Sequence, residues 1–168
     1  MQPPVVSIVG SKKVGKTTLV VRLVEELTKR GYRVGTIKHD AHGFEIDREG
    51  KDSYRHFHAG AEATVIASEH KVALVRRLNE PLALDAIVAA YLGDLDLVIT
   101  EGFKSQDKPK IEVFRKQHRP SLLCTPADGL IAVASDSQLS VGVPVLPLDD
   151  TAAIVDFIIE RFLAHSSP

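Results

Sequence analysis

Cysteine is nearly missing from this chain: Cys124 is the only one in 168 residues. An intrachain disulfide is therefore impossible, and a cysteine zinc cluster is excluded with it. Charge of one sign is missing too. Lys and Arg number 21 against 22 Asp and Glu, a formal net charge of −1, whereas a dedicated duplex-DNA binder usually carries a basic excess. No nucleic-acid partner is expected. Long apolar runs are also lacking. The best stretch is broken by Asp94 and Asp96, so nothing approaches the ~18 residues that span a bilayer. No membrane partner is expected either. Residues 1–5 carry neither the basic region nor the apolar core of a signal peptide, which makes a cytoplasmic protein the expectation. What remains is an ordinary globular composition, 44% hydrophobic and 26% charged. At this length one domain is expected across residues 1–168.

Short apolar runs alternate with amphipathic stretches. Residues 5–9 (VVSIV) read as a strand buried on both faces. Residues 16–30 then place Leu19, Val20, Leu23, Val24 and Leu27 on one helical stripe that stops at Gly31. Residues 33–37 suit a strand, 38–51 form a polar segment, and 52–59 suit a short helix. Strand-like runs follow at 63–67 and 72–75. Pro81 is expected to open a helix carrying Leu84, Ile87, Val88, Tyr91 and Leu92. Further strands are expected at 95–100, 111–114, 130–134 and 143–146, the last interrupted by Pro144. The final helix, 151–164, has Asp149 or Asp150 near its N-cap. This alternation predicts an α/β fold with a largely parallel central sheet, in which ligands bind beyond the carboxyl ends of the strands.

Between the first strand and first helix, GSKKVGKT (residues 10–17) fits G-x-x-x-x-G-K-[ST] at every fixed position. Glycines let the backbone wrap an anion without a Cβ in the way. Successive N–H groups, from Gly10, Lys13, Val14, Gly15, Lys16, Thr17 and Thr18, then point at phosphate together with the helix N-terminus. Lys16 is placed to reach the β- and γ-phosphates, and the Thr17 hydroxyl to ligate Mg²⁺. A second acid is needed opposite those phosphates. Glu101, directly after the apolar run LVIT and followed by Gly102, fits that place better than Asp96, which belongs at the start of its strand. Glu101 and Lys16 are the candidate catalytic residues, and Thr17 and Glu101 the candidate metal ligands.

Four of the seven histidines fall between positions 39 and 58, which invites a metal-site reading, although no cysteine accompanies them. The segments GSKKVGKTT, GTIKHDAH, GKDSYRHFHAGA, DLVITEGFK and PKIEVFR together resemble the molybdopterin-guanine dinucleotide biosynthesis protein B (MobB) family. The likeness continues through IAVASD to the last helix. It implies a three-layer P-loop NTPase fold that binds GTP with Mg²⁺, hydrolyses it slowly at most, and forms a homodimer. It further implies a role assisting the conversion of molybdopterin to its guanine dinucleotide, with a MobA-type guanylyltransferase carrying the transfer chemistry. Lys38, His39, His42, Asp47, Lys51 and Asp52 would then line a loop facing the nucleotide or the pterin.

Guanine recognition is harder to place. Asp136, after the run LIAVAS, is a candidate because a carboxylate accepts from the N1–H and N2–H₂ of guanine, a donor pair adenine lacks. It is equally suited to capping a turn. Two other functions use the same loop. A small-molecule kinase would add an arginine-rich lid, for which residues 115–119 are the one candidate; a metal-delivery GTPase would use the histidines. The run from 63 to 75 is either an edge for pairing across a dimer axis or an internal hairpin.

Overall fold

Strands buried on both faces need apolar side chains on alternate sides, and the first strand has them. In the computed structural model, which describes residues 2–40 and 43–164, β1 is Val5–Val9 with all five residues buried. Its neighbours are β5 (Leu97–Glu101) on one side and β6 (Lys110–Phe114) on the other, both parallel to it. With β2 (Val34–Lys38), β7 (Leu130–Ser135) and β8 (Val145–Pro147) they form a six-stranded sheet in the order β2-β5-β1-β6-β7-β8, every pairing parallel.

Helices cover both faces. Val6, Ile8, Leu97, Ile99, Ile111, Val113, Ala132 and Ala134 meet α1 (Lys16–Lys29) and α4 (Thr151–Phe162) through Leu19, Leu23, Leu27, Ile154, Val155 and Ile158. On the opposite face Val5 and Val98 pack against Leu84 and Val88 of α3 (Leu84–Tyr91). Val9, Phe114 and Val133 are covered there by Leu122, Leu123 and Cys124 instead of a helix. One polar pair crosses the buried centre, Thr100 Oγ1 donating to Ser7 Oγ at 2.8 Å, which satisfies two hydroxyls that would otherwise be costly to bury.

The chain divides into two compact units. The sheet and its helices occupy Met1–His39 with Leu84–Pro168; Asp40–Ala83 form the second. In that second unit α2 (Asp52–His58) packs on β3 (Ala63–Ala67), which pairs antiparallel with β4 (Val72–Arg76).

Several expected boundaries move, most by one residue; β8 starts at Val145 and not at 143, beyond Pro144. Pro81 does not open α3, which starts at Leu84, where that side chain becomes buried against the sheet. β5 begins at Leu97 and not at residue 95, because Leu95 N–H closes a turn onto Leu92 O and the Asp96 carboxylate accepts from Arg33 N–H at 2.7 Å. The last helix ends at Phe162 and not at 164.

Candidate functional site

β1 delivers the chain into Gly10–Gly15 at the carboxyl edge of the sheet. A Cβ on Gly10 would stand 2.7 Å from Val113 O and 3.0 Å from a Val14 methyl, so only glycine fits between the loop and β6. Gly15, at φ 111°, holds a left-handed conformation at the N-cap of α1, with open space where a Cβ would be. Lys13 also sits at positive φ, 62°, an uncommon conformation for a residue with a side chain. Positive φ at Gly10, Lys13 and Gly15 gives the loop the backbone of an anion-binding turn. α1 has no side-chain cap and no acid in its first turn, leaving its first amides and the positive end of its dipole free to meet an anion. The loop therefore fits a phosphate chain.

Lys16 opens α1 and folds its ammonium back across the loop, donating to Gly10 O at 3.0 Å and Ser11 O at 2.7 Å. Burial holds its pKa below the usual lysine value; the Glu101 charge opposes that shift and the Lys38 charge adds to it. Next to it Thr17 Oγ1 donates to Glu101 Oε1 at 2.8 Å. Glu101 ends β5, and its side chain is only 14% exposed. A hydroxyl and a carboxylate thus converge between the ends of β1 and β5, and hard oxygen donors of this kind suit Mg²⁺. Lys38 Nζ stands 3.9 Å from the same Glu101 oxygen but is 64% exposed, a pairing that water screens.

His39 follows β2, donates its amide to Glu101 O at 3.0 Å, and sets its ring 4.9 Å from that of Phe103. Gly102 N–H donates to Ile8 O at 3.0 Å, tying the end of β5 to β1. His42 lies outside the described residues. Asp47, Lys51 and Asp52 belong to the second unit, where they build the start of α2. Asp47 is held below the usual carboxylate range by hydrogen bonds from the Ser53 side chain and Arg48 N–H. Lys51 is the N-cap of α2 and accepts from Arg55 N–H at 3.0 Å. Asp52, in the first turn, faces the positive end of the helix dipole. Among the described residues no group of three or more His, Cys, Asp or Glu is gathered around a common point where a metal ion would bind.

Asp136 lies one residue past β7 and pairs with Arg115, Nη1 to Oδ2 at 2.8 Å. The same guanidinium donates through Nε to Val14 O, in the phosphate loop, at 3.2 Å. Beside them a cavity of about 280 Å³ opens between Gly15 and Thr18 on one wall and Asp136 and Asp149 on another. Arg115 in this role is not evident from the sequence, where it stands only within the candidate kinase lid at 115–119. Its one sequence signal is weak: Arg115 directly follows the run KIEVF as Glu101 follows LVIT, but the charges in KIEVF mask the strand.

The family model described as Molybdopterin guanine dinucleotide synthesis protein B matches residues 5–136, a span that holds the loop, Glu101, Arg115 and Asp136. This chain belongs to the MobB family. Its relatives include the molybdopterin-guanine dinucleotide biosynthesis adapter protein of Escherichia coli, 38% identical over 94% of this chain and 92% of that protein. The adapter protein of that name from Haemophilus influenzae is 35% identical over 98% and 92%. A crystal structure of molybdopterin-guanine biosynthesis protein B matches at a TM-score of 0.76 and 35% identity, covering 94% of this chain and 98% of that one. Bacillus subtilis MobB gives the same TM-score at 29% identity. The parallel sheet between helical layers is thus the MobB architecture, as the sequence led us to expect.

Proposed function

We propose that this MobB-family chain is a GTP-binding adapter of molybdenum cofactor biosynthesis. It assists, in the cytoplasm, the conversion of molybdopterin to molybdopterin guanine dinucleotide beside a MobA-type guanylyltransferase, and is at most a slow Mg²⁺-dependent GTPase. The observation that carries the nucleotide reading is the loop itself: a glycine turn leading into a helix start with no side-chain cap, with Thr17 and Glu101 joined at 2.8 Å beside it. The loop amides from Gly10 to Thr18 bind the phosphates, and Lys16 exchanges its two carbonyl partners for phosphate oxygens. Thr17 and Glu101 hold Mg²⁺, which when bound neutralises charge on the β- and γ-phosphates. Glu101 is the group within reach of a hydrolytic water, and Asp136 reads the base. Lys38 and His39, at the end of β2 beside Glu101, supply cationic and hydrogen-bonding groups for a phosphorylated pterin.

A homodimer completes this reading. The β3–β4 hairpin exposes Val65, Ile66, Val72 and Leu74, and an exposed apolar strand pair is a surface that a second chain covers.

Calorimetric titration with GTP, GDP and ATP in the presence of Mg²⁺, with and without molybdopterin, tests the proposal. GTP is expected to bind, and Lys16→Ala to weaken it more than a hundredfold, about 3 kcal/mol, while the melting temperature stays close to that of the parent. A parent chain that binds no guanine nucleotide overturns the reading.

A further inference from the structure

Arg115 does two things at once. It reaches one way to the phosphate loop, Nε to Val14 O at 3.2 Å, and the other way to Asp136, Nη1 to Oδ2 at 2.8 Å. It leaves β6 directly after the buried Phe114, so its Cα is fixed by the sheet. The segment that follows is pinned as well. Glu112, 1% exposed, accepts Leu123 N–H at 2.7 Å and Cys124 N–H at 3.0 Å, which anchors residues 115–125 over the sheet. The guanidinium thus bridges the phosphate loop and the carboxylate on the cavity of about 280 Å³ beside Gly15 and Thr18.

We propose that Arg115 is the positioning residue for base selection: it locks Asp136 at a fixed place relative to the phosphate loop, so that a bound nucleotide meets the carboxylate with its guanine edge. This rests on the guanine-nucleotide reading given above. A carboxylate oxygen has two acceptor sites, so Asp136 accepts from Arg115 and from Ser137 Oγ (3.3 Å) and keeps sites for the N1–H and N2–H of guanine. Adenine turns a bare ring nitrogen toward the same oxygens and is repelled. Selection by a carboxylate is only as sharp as the carboxylate's position. The planar guanidinium reaches Val14 O and Asp136 from two different nitrogens, whereas a lysine ammonium would have to reach both acceptors from a single atom.

The test is the ratio of GTP to ATP affinity in the intact chain, measured for the parent, Arg115→Lys, Arg115→Ala, Asp136→Ala and the double variant Arg115→Ala/Asp136→Ala. The parent is expected to favour GTP. Both Arg115 variants should cut that ratio about tenfold or more, and the double variant should lose no more of it than Asp136→Ala alone, the non-additivity of groups acting as one unit. A purely structural Arg115 would weaken GTP and ATP together and leave the ratio intact, and that result overturns the proposal, as does a parent that binds both alike. If the alanine variant fails to fold, the lysine variant decides. A parent that binds neither nucleotide refutes the guanine-nucleotide reading itself, and an unchanged ratio refutes the role of Arg115 alone.

Discussion

Glu101 and Glu112 are both glutamates on strands flanking β1, and their surroundings set them apart. Glu101 ends its strand with a hydroxyl hydrogen bond and a lysine nearby. Glu101→Gln keeps the shape and removes the charge, so turnover of GTP should fall at least tenfold while GTP affinity changes less; steady-state hydrolysis beside calorimetry separates the two. Glu112 faces inward. Burial pushes its pKa up, and the Leu123 and Cys124 amides with the Arg119 charge pull the other way without cancelling the shift. A carboxyl with a raised folded pKa holds a proton in the native state that the unfolded chain has released. Its contribution therefore falls as pH rises from the ordinary glutamate range through the raised value, and returns on acidification. Urea unfolding of the parent against Glu112→Gln over a pH series should show the parent losing relative stability in that window and levelling off below it.

Elements are held by their ends as much as by their faces. Asp150 Oδ1 accepts Ala153 N–H at 3.0 Å at the start of α4, so Asp150→Ala should cost about 1 kcal/mol in denaturant unfolding. That cap was readable in the sequence as Asp149 or Asp150, and β1 from Val5 to Val9 and the first residues of α1, α2 and α4 were readable outright, because strand runs, glycines and caps are local signals. The phosphate loop and Glu101 were legible for the same reason: each is defined by its own strand end. Lys110 and Glu112 were not. Charges within KIEVF signal exposure by composition, yet Lys110 is buried and donates to the carbonyls of Gln106, Lys108 and Asp128. Gln106 and Lys108 are local partners, but Asp128, eighteen residues on, comes within reach only once β6 and β7 lie side by side. The Arg115–Asp136 pair is hidden for that reason too, since each residue stands directly after one of those two neighbouring strands. The true start of α3 depends on burial of Leu84, which no turn residue announces.

Across the whole molecule, apolar surface is unevenly finished. The six-stranded sheet has its apolar faces covered by helices and by residues 122–124, whereas Val72 on the hairpin remains 68% exposed. Sedimentation at micromolar concentration should therefore show a dimer. Val72→Glu, with Leu74→Glu in a second variant, should shift it toward monomer at least tenfold without lowering the melting temperature of the parallel-sheet unit. Residues 40–83 interrupt that unit between β2 and α3, both of which belong to it. The chain entropy lost in closing such an excursion grows with the logarithm of its length, only about 0.6 kcal/mol per doubling. The junction at His39 and Leu84 is thus a thermodynamically inexpensive place to graft, enlarge or trim an accessory module, and the parallel-sheet scaffold can keep its architecture while the graft diverges.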